Sequence, residues 1–366
     1  MIATESAAWW RIERSAGEAP AGSVLVHAPS FAFQAPGGGE NQLIQTSRHL
    51  EAIGVAIRPF SPWVDRLDEA RLLHLYGMSR EGLELARVAR SRNIPVVLSP
   101  ICWFEPVALL ALAPSRVRGA LDLAKWASRR CLPRLPGWRR ELLSLSDAIL
   151  PNSRAEANQL VSLFGADRSR IHVVPNGVDP RFLSSSPDLF RDRFGGGDFV
   201  LYAGRIEPRK NVLGLALAAR AAGLPLVVIG SAVPGSEAYA ESCIREGGPS
   251  ARWLGHLDHS DPILASAMAA SRVFALPSWF ETPGLAALEA AASGSAIVIT
   301  PFGCTREYFG DHVMYARPDD VRMIARALEH AWDDGPGAGL ADHVGTRFLW
   351  SRVALKTKEA YDRIAS

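Results

Sequence analysis

Two glutamates with seven residues between them, Glu281 and Glu289, stand in the segment Pro277-Ser278-Trp279-Phe280-Glu281-Thr282-Pro283-Gly284-Leu285-Ala286-Ala287-Leu288-Glu289. The apolar run Val273–Leu276 before it reads as a strand and the Ala/Leu-rich stretch after it as a helix. Proline suits a first helical position, which puts the helix start near Pro283. Glu281 then lies in the loop before the helix and Glu289 inside it. The first helical amides, at Gly284 and Leu285, face any anion bound there. A carboxylate in such a loop can accept hydrogen bonds from sugar hydroxyls, and one deeper in the helix can hold a ribose. The plainer alternative makes Glu281 a helix cap and Glu289 a solvated charge, and this segment alone does not choose between them.

A second segment, Tyr202-Ala203-Gly204-Arg205-Ile206-Glu207-Pro208-Arg209-Lys210-Asn211, leaves the carboxyl end of another strand. Open α/β sheets bind ligands at that end. Arg205 and Lys210 are suited to a diphosphate, the arginine as a fork and the lysine as a compact charge. Lysine occurs only at 125, 210, 356 and 358, so its use at this loop favours function over a solvated turn. A third segment, Pro36-Gly37-Gly38-Gly39-Glu40, follows the first strand and lets backbone amides approach a phosphate closely. A flexible turn is the alternative. It is neither a Walker motif nor a G-x-G-x-x-G fingerprint.

These loops need strands and helices to hold them. Near-continuous apolar runs suit strands buried on both faces of a parallel sheet. They fall at Val24–Val26, Val96–Leu98, Ala148–Leu150 and Ile171–Val174, then at Phe199–Tyr202, Leu226–Ile229, Val273–Leu276 and Ala296–Ile299. Helices are expected between them, as at Gln42–Ile53 and Val212–Ala222. Alternation twice over in 366 residues predicts two doubly wound α/β domains. The expected boundary follows Phe182, in the polar run Ser184-Ser185-Ser186-Pro187. A glycine-rich break at 335–339 precedes a last helical stretch with Phe348, Trp350, Val353, Tyr361 and Ile364.

Composition narrows the class. Hydrophobic residues make up 48% and charged residues 21%, which excludes disorder, and a net charge of +2 gives no global pull toward nucleic acid. Cys102, Cys131, Cys243 and Cys304 are scattered without metal-ligand spacing, as expected of free thiols in a reducing cytoplasm. No apolar run approaches bilayer length, and Met1–Glu18 lacks a signal-peptide core.

In their order along the chain these segments resemble the retaining nucleotide-sugar glycosyltransferases of family four, which have the GT-B fold of two Rossmann-like domains facing across a cleft. Further matching motifs are Pro151-Asn152-Ser153, Val174-Pro175-Asn176-Gly177-Val178-Asp179 and Gly255-His256-Leu257. The resemblance implies a first domain over 1–182, rejoined by a terminal helix at about 346–366, and a donor-binding domain over 183–345. It implies that Arg205 and Lys210 bind the diphosphate, that Glu281 contacts the donor sugar and that Glu289 holds the ribose. It also implies donor contacts from Thr282, Gly284 and Leu285, nucleobase contacts at His256 and Leu257, and closure of Gly37 and Gly38 over the diphosphate. Two features depart from the pattern. Ser99-Pro100-Ile101-Cys102-Trp103-Phe104-Glu105 lacks the first-domain histidine of many members, leaving Glu105 as a candidate contact or a structural acid. Pro283 also removes one amide donor.

Transfer from a nucleotide sugar needs a stabilised diphosphate leaving group and a fixed sugar. No Asp-x-Asp triplet occurs, so no metal or other cofactor is expected, and Arg205, Lys210 and a helix amino terminus take that role. The alternatives are a nucleotide-sugar epimerase or phosphorylase of similar fold, or a catalytically silent nucleotide-sugar-binding protein. A basic stretch bears on the acceptor. Arg116, Arg118, Lys125, Arg129, Arg130, Arg134, Arg139 and Arg140 oppose only Asp122, interleaved with Leu121, Leu123, Trp126, Leu132, Leu135 and Trp138. That composition suits an anionic membrane surface, or else a basic helix whose tryptophans pack inward. Pro133 and Pro136 require the helix to end near Cys131. The expected enzyme is cytoplasmic, docks on the inner face of the membrane and acts on a glycan or lipid-linked glycan for cell-surface polysaccharide.

Overall fold

The computed structural model describes residues 22–30, 32–34 and 37–364. The reading of Met1–Glu18, and Pro36 of the glycine segment, lie outside them. The chain forms two compact units. The first holds the chain up to Trp103, then Leu123–Gly177 and the chain from Trp350 onward; the second holds Phe104–Asp122 and Val178–Leu349.

The first unit is built on strands β1 (Ser23–His27), β2 (Ile57–Pro59), β3 (Ala70–Tyr76), β4 (Val96–Ser99) and β5 (Ala148–Ile149), all parallel, in the order β2-β1-β3-β4-β5. Their Val and Leu side chains are almost wholly buried, as strands covered on both faces require. The run Ile171–Val174, expected as a strand, makes only one isolated bridge, between Ile171 and Ile149. His172 and Val174 do donate to the carbonyls of Ile149 and Pro151, at 2.9 Å each. Pro151 has no N–H to return a bond, so the parallel ladder stops there.

The helix Trp350–Ile364 packs against Gly38–Ala52 in this unit, burying Trp350 and Tyr361 completely. Phe348 lies outside it, just after the helix Leu340–Arg347. The Tyr361 hydroxyl lies 2.6 Å from Nδ1 of His74 on β3, and His74 Nε2 lies 2.9 Å from Ser99 Oγ on β4. Burial pushes the His74 imidazole down to about 3, so it is neutral. Paired on both nitrogens, a histidine can sit in the middle of a core strand.

The second unit carries β6 (Val200–Ala203), β7 (Leu226–Ile229), β8 (Ala251–Gly255), β9 (Val273–Leu276), β10 (Ala296–Ile299) and β11 (Met314–Tyr315), also parallel, in the order β11-β10-β9-β6-β7-β8. The chain runs outward from β6 through β7 to β8, then returns to lay β9 on the other side of β6. The crevice at the carboxyl ends of β6 and β9 is therefore the switch point of this sheet. The glycine break separates the helices Val321–Asp334 and Leu340–Arg347. The basic helix spans Arg116–Cys131 and stops before Pro133. Among the described residues, no helix is long and apolar enough to cross a membrane.

Candidate functional site

The loops that leave β6 and β9 meet at that switch point. After β6 the chain turns sharply at Gly204, whose carbonyl would lie 1.9 Å from a Cβ on Gly230, so residue 230 must be glycine. The Tyr202 hydroxyl donates to the Arg205 carbonyl at 2.6 Å, and a single 3-10 turn at Pro208–Lys210 follows. Asn211 ends the turn in the left-handed region, which asparagine tolerates better than most residues. Its side-chain amide donates to the carbonyls of Pro277 (3.1 Å) and Pro318 (2.8 Å), tying this loop to the end of β9.

The loop after β9 is held from the other side. The Glu281 amide donates to the Phe302 carbonyl (3.2 Å), and the Glu281 carbonyl accepts from the Cys304 amide (3.0 Å). Between those contacts sits Gly303, at φ +96, where a Cβ would fall 1.9 Å from the Glu281 carbonyl oxygen. The helix begins at Leu285, not near Pro283 as the sequence suggests. Gly284 precedes it at φ +93, outside helical space, so the helix cannot start earlier.

Lys210 and Glu281 are thereby brought together, Nζ to Oε1 at 2.6 Å, with 15% and 6% of their side chains exposed. Burial works to raise the Glu281 carboxyl, but Lys210 and then Arg209 outweigh it, and it titrates below its ordinary value. Burial also pushes the Lys210 ammonium down, an effect that Glu281 offsets in part. Arg205 is placed by Glu207 at 3.3 Å, and the same carboxylate oxygen takes Arg209 at 3.1 Å. Arg209 also donates to the Phe280 carbonyl (3.3 Å) and lies over the Phe280 ring. Three cations thus gather around two carboxylates at the mouth of the sheet. They adjoin the start of the helix Leu285–Ala292, whose first amides have no acceptor within the helix.

Glu289 lies inside that helix, 4% exposed, and accepts from His259 Nε2 at 2.7 Å. His256 and Leu257 follow β8 in the same loop, with His256 exposed. Thr282 is half-buried beside Glu281. Gly37 and Gly38 belong to the first unit, where the helix starts at Gly38 and the Gly37 amide donates to the Glu40 carboxylate at 2.7 Å. Glu105 precedes the short helix Pro106–Ala111. Sequence reasoning passed over Glu207, Arg209, His259 and Gly303. The first two lie within the quoted motif, between the residues it singled out.

Two family models match this chain: "Glycosyltransferase Family 4" over residues 36–182 and "Glycosyl transferases group 1" over residues 197–334. The chain belongs to glycosyltransferase family 4. Among its curated relatives, a D-inositol 3-phosphate glycosyltransferase of Xylanimonas cellulosilytica is 33% identical over 60% of this chain and 58% of its own length. Two further relatives of that name are matched over 55% of theirs. The chain therefore spans a little over half the length of these relatives. Solved structures of the same fold include sucrose-phosphate synthase from Thermosynechococcus elongatus (TM-score 0.73, 18% identity, 93% of this chain, 99% of that one). Another is the Anabaena HepE protein in complex with UDP (0.68, 18%, 93% and 100%). Both support the GT-B fold for this family 4 chain.

Proposed function

We propose that this chain is a retaining, metal-independent glycosyltransferase that uses a nucleotide-diphosphate sugar. The observation that carries the reading is the Lys210–Glu281 pair at the switch point of the second sheet, beside a helix amino terminus. Breaking the anomeric carbon–oxygen bond leaves a diphosphate with new negative charge. Lys210, Arg205 and the first amides of the helix Leu285–Ala292 supply preorganised positive potential for it. Glu281 fixes the donor sugar, and Glu289 the ribose. The acceptor hydroxyl adds to the anomeric carbon, and its proton leaves with the phosphate oxygen. The UDP bound to Anabaena HepE supports a uridine diphosphate as the first probe.

The acceptor we propose is a lipid-linked glycan for cell-surface polysaccharide, reached from the cytoplasmic face. The helix Arg116–Cys131 supports it: Gly119 is its only buried residue, while Val117 and Leu121 are 71% and 53% exposed. Helical spacing sets these two on one stripe, with Arg118 and Lys125 along one side. Arg130 lies on the opposite face with Gly119 and donates to Ser162 Oγ at 3.4 Å. An apolar stripe bordered by a basic edge fits an anionic bilayer, each basic residue near the surface adding about 1 kcal/mol. Arg129 is engaged with the carbonyls of Leu135 (2.6 Å) and Pro136 (3.0 Å), and Arg139 lies over Trp138, so these brace the turn.

The test has two arms. Thermal shift against uridine, guanosine and adenosine diphosphates should single out one base, with about 2.7 kcal/mol added at a hundredfold excess over Kd. Transfer from the matching sugar nucleotide to lipid extract should follow, and no shift with any nucleotide would overturn the reading. Sedimentation with anionic vesicles should weaken with salt and in Val117→Asp/Leu121→Asp. Equal sedimentation with neutral vesicles, or none at all, would remove the membrane acceptor alone.

A further inference from the structure

A buried carboxylate that must receive two hydroxyls needs its own orientation fixed, and Glu289 is fixed by a residue outside its helix. His259 comes from the loop between β8 and the helix Pro262–Ala270, and its Nε2 lies 2.7 Å from Glu289 Oε1. The loop is itself rigidly bonded. Asp258 Oδ1 accepts from the Ser260 amide (2.9 Å) and hydroxyl (2.7 Å), and Asp261 accepts from the Ile263 amide (2.9 Å). On the far side of the imidazole stands Arg181, whose Nη2 donates to the His259 carbonyl and lies 3.3 Å from Nδ1. Arg181 is seated in turn: its guanidinium lies 4.7 Å from the Phe182 ring centroid, and Asp179 accepts from its amide at 2.9 Å.

An arginine has donors only, so an Nδ1 facing it accepts. The ring proton then sits on Nε2, aimed at the carboxylate. We propose that His259, oriented by Arg181, is a positioning residue of the donor site that holds the Glu289 carboxylate where it receives the ribose hydroxyls of a nucleoside diphosphate. This rests on the donor reading given above. One of the roughly four lone-pair sites of the carboxylate is used by His259, leaving the others for ribose. The charged groups around the imidazole are Glu289 from the helix, Asp179 and Arg181 from the segment before the second sheet, and Asp258 and Asp261 from its own loop. Burial lowers the affinity of His259 for a second proton, and the Glu289 carboxylate more than restores it. Protonation therefore strengthens the contact with Glu289 instead of breaking it.

Isothermal titration with UDP and with 2′,3′-dideoxy-UDP separates this role from a merely structural one. The wild-type protein should favour UDP over the dideoxy nucleotide. His259→Ala should weaken UDP about tenfold, or 1.4 kcal/mol, and leave dideoxy-UDP unchanged, so that the preference collapses. His259→Phe, which keeps ring volume without a donor, should behave as the alanine variant does, and serves if the alanine variant does not fold. His259→Gln, which restores a donor, should recover most of the preference. Equal weakening of both nucleotides, or of neither, overturns the proposal. Glu289→Gln is the control for the reading beneath it. If that variant keeps the full preference, Glu289 is not the ribose ligand and both fall. If it loses the preference while His259→Ala keeps it, only the role of His259 is lost.

Discussion

The ammonium of Lys210 lies 2.6 Å from the carboxylate of Glu281, 71 positions further along the chain. Their loops leave β6 and β9, which are neighbours only because the chain reverses its direction of strand addition between them. The cation expected on a diphosphate and the acid expected on a sugar thus share one hydrogen bond. Each keeps the other charged in a place where neither would be stable alone.

Glu281→Gln keeps the shape of the loop and removes the charge. Turnover should fall about 10²- to 10³-fold with the fold intact, as for loss of one transition-state contact. Near-normal turnover in a steady-state assay would take Glu281 out of the donor site. Lys210→Ala should be costlier to the fold, by about 3–5 kcal/mol in chemical denaturation, because it strands a buried carboxylate.

Arg205→Ala should weaken diphosphate binding and slow transfer while leaving the melting temperature close to wild type, since its partner Glu207 retains Arg209. Activity should persist in chelator. A complete loss that added metal restores would overturn the metal-free mechanism.

Gly303→Ala tests the backbone under Glu281. The left-handed φ alone costs roughly 1–2 kcal/mol, and the new methyl also strikes the Glu281 carbonyl. Both stability and turnover should drop, the latter by about 10²-fold if the carboxylate moves by 1 Å. An unchanged melting curve with full activity would show that the loop adapts freely.

Glu156 carries a pH signature. Its carboxylate is buried and accepts from the amides of Cys102 and Asn152, each at 2.7 Å, which ties down the loop after β4. Burial pushes its carboxyl up to about 7, against the pull of those two amides. A raised carboxyl favours the protonated native form, so its contribution is complete below about 4.5 and declines as pH climbs to 7. The decline amounts to about 3 kcal/mol at 1.36 kcal/mol per pH unit. Thermal melts of the wild type at pH 5 and 7.5 should show this slope, and Glu156→Gln should flatten it. Parallel pH profiles for the two proteins would exclude the effect.

What the sequence disclosed follows from what each element buries. Leu226–Ile229, Val273–Leu276 and Ala296–Ile299 are apolar throughout because both faces are covered, and their ends are legible to the residue. β8 is an edge strand whose Arg252 faces solvent, and β11 has two residues, so neither announces itself. β3 hides behind His74, a polar residue acceptable there only because Tyr361 and Ser99 satisfy it. At the site, Arg205, Lys210, Glu281 and Glu289 stand at motif spacing. His259 does not, since its partner is 30 positions away, and the need for glycine at 303 comes from a carbonyl in a different loop. No local pattern encodes either contact.

The placement of Trp350–Ile364 has a consequence for synthesis. Translation completes the sequence of the second sheet, through Tyr315, before a ribosome has made the helix that covers His74. The earlier-coded unit therefore waits, with the hollow for Trp350 and Tyr361 open, until that last helix has been made. The unit begun first thus depends for its closure on residues coded after the whole of the second sheet.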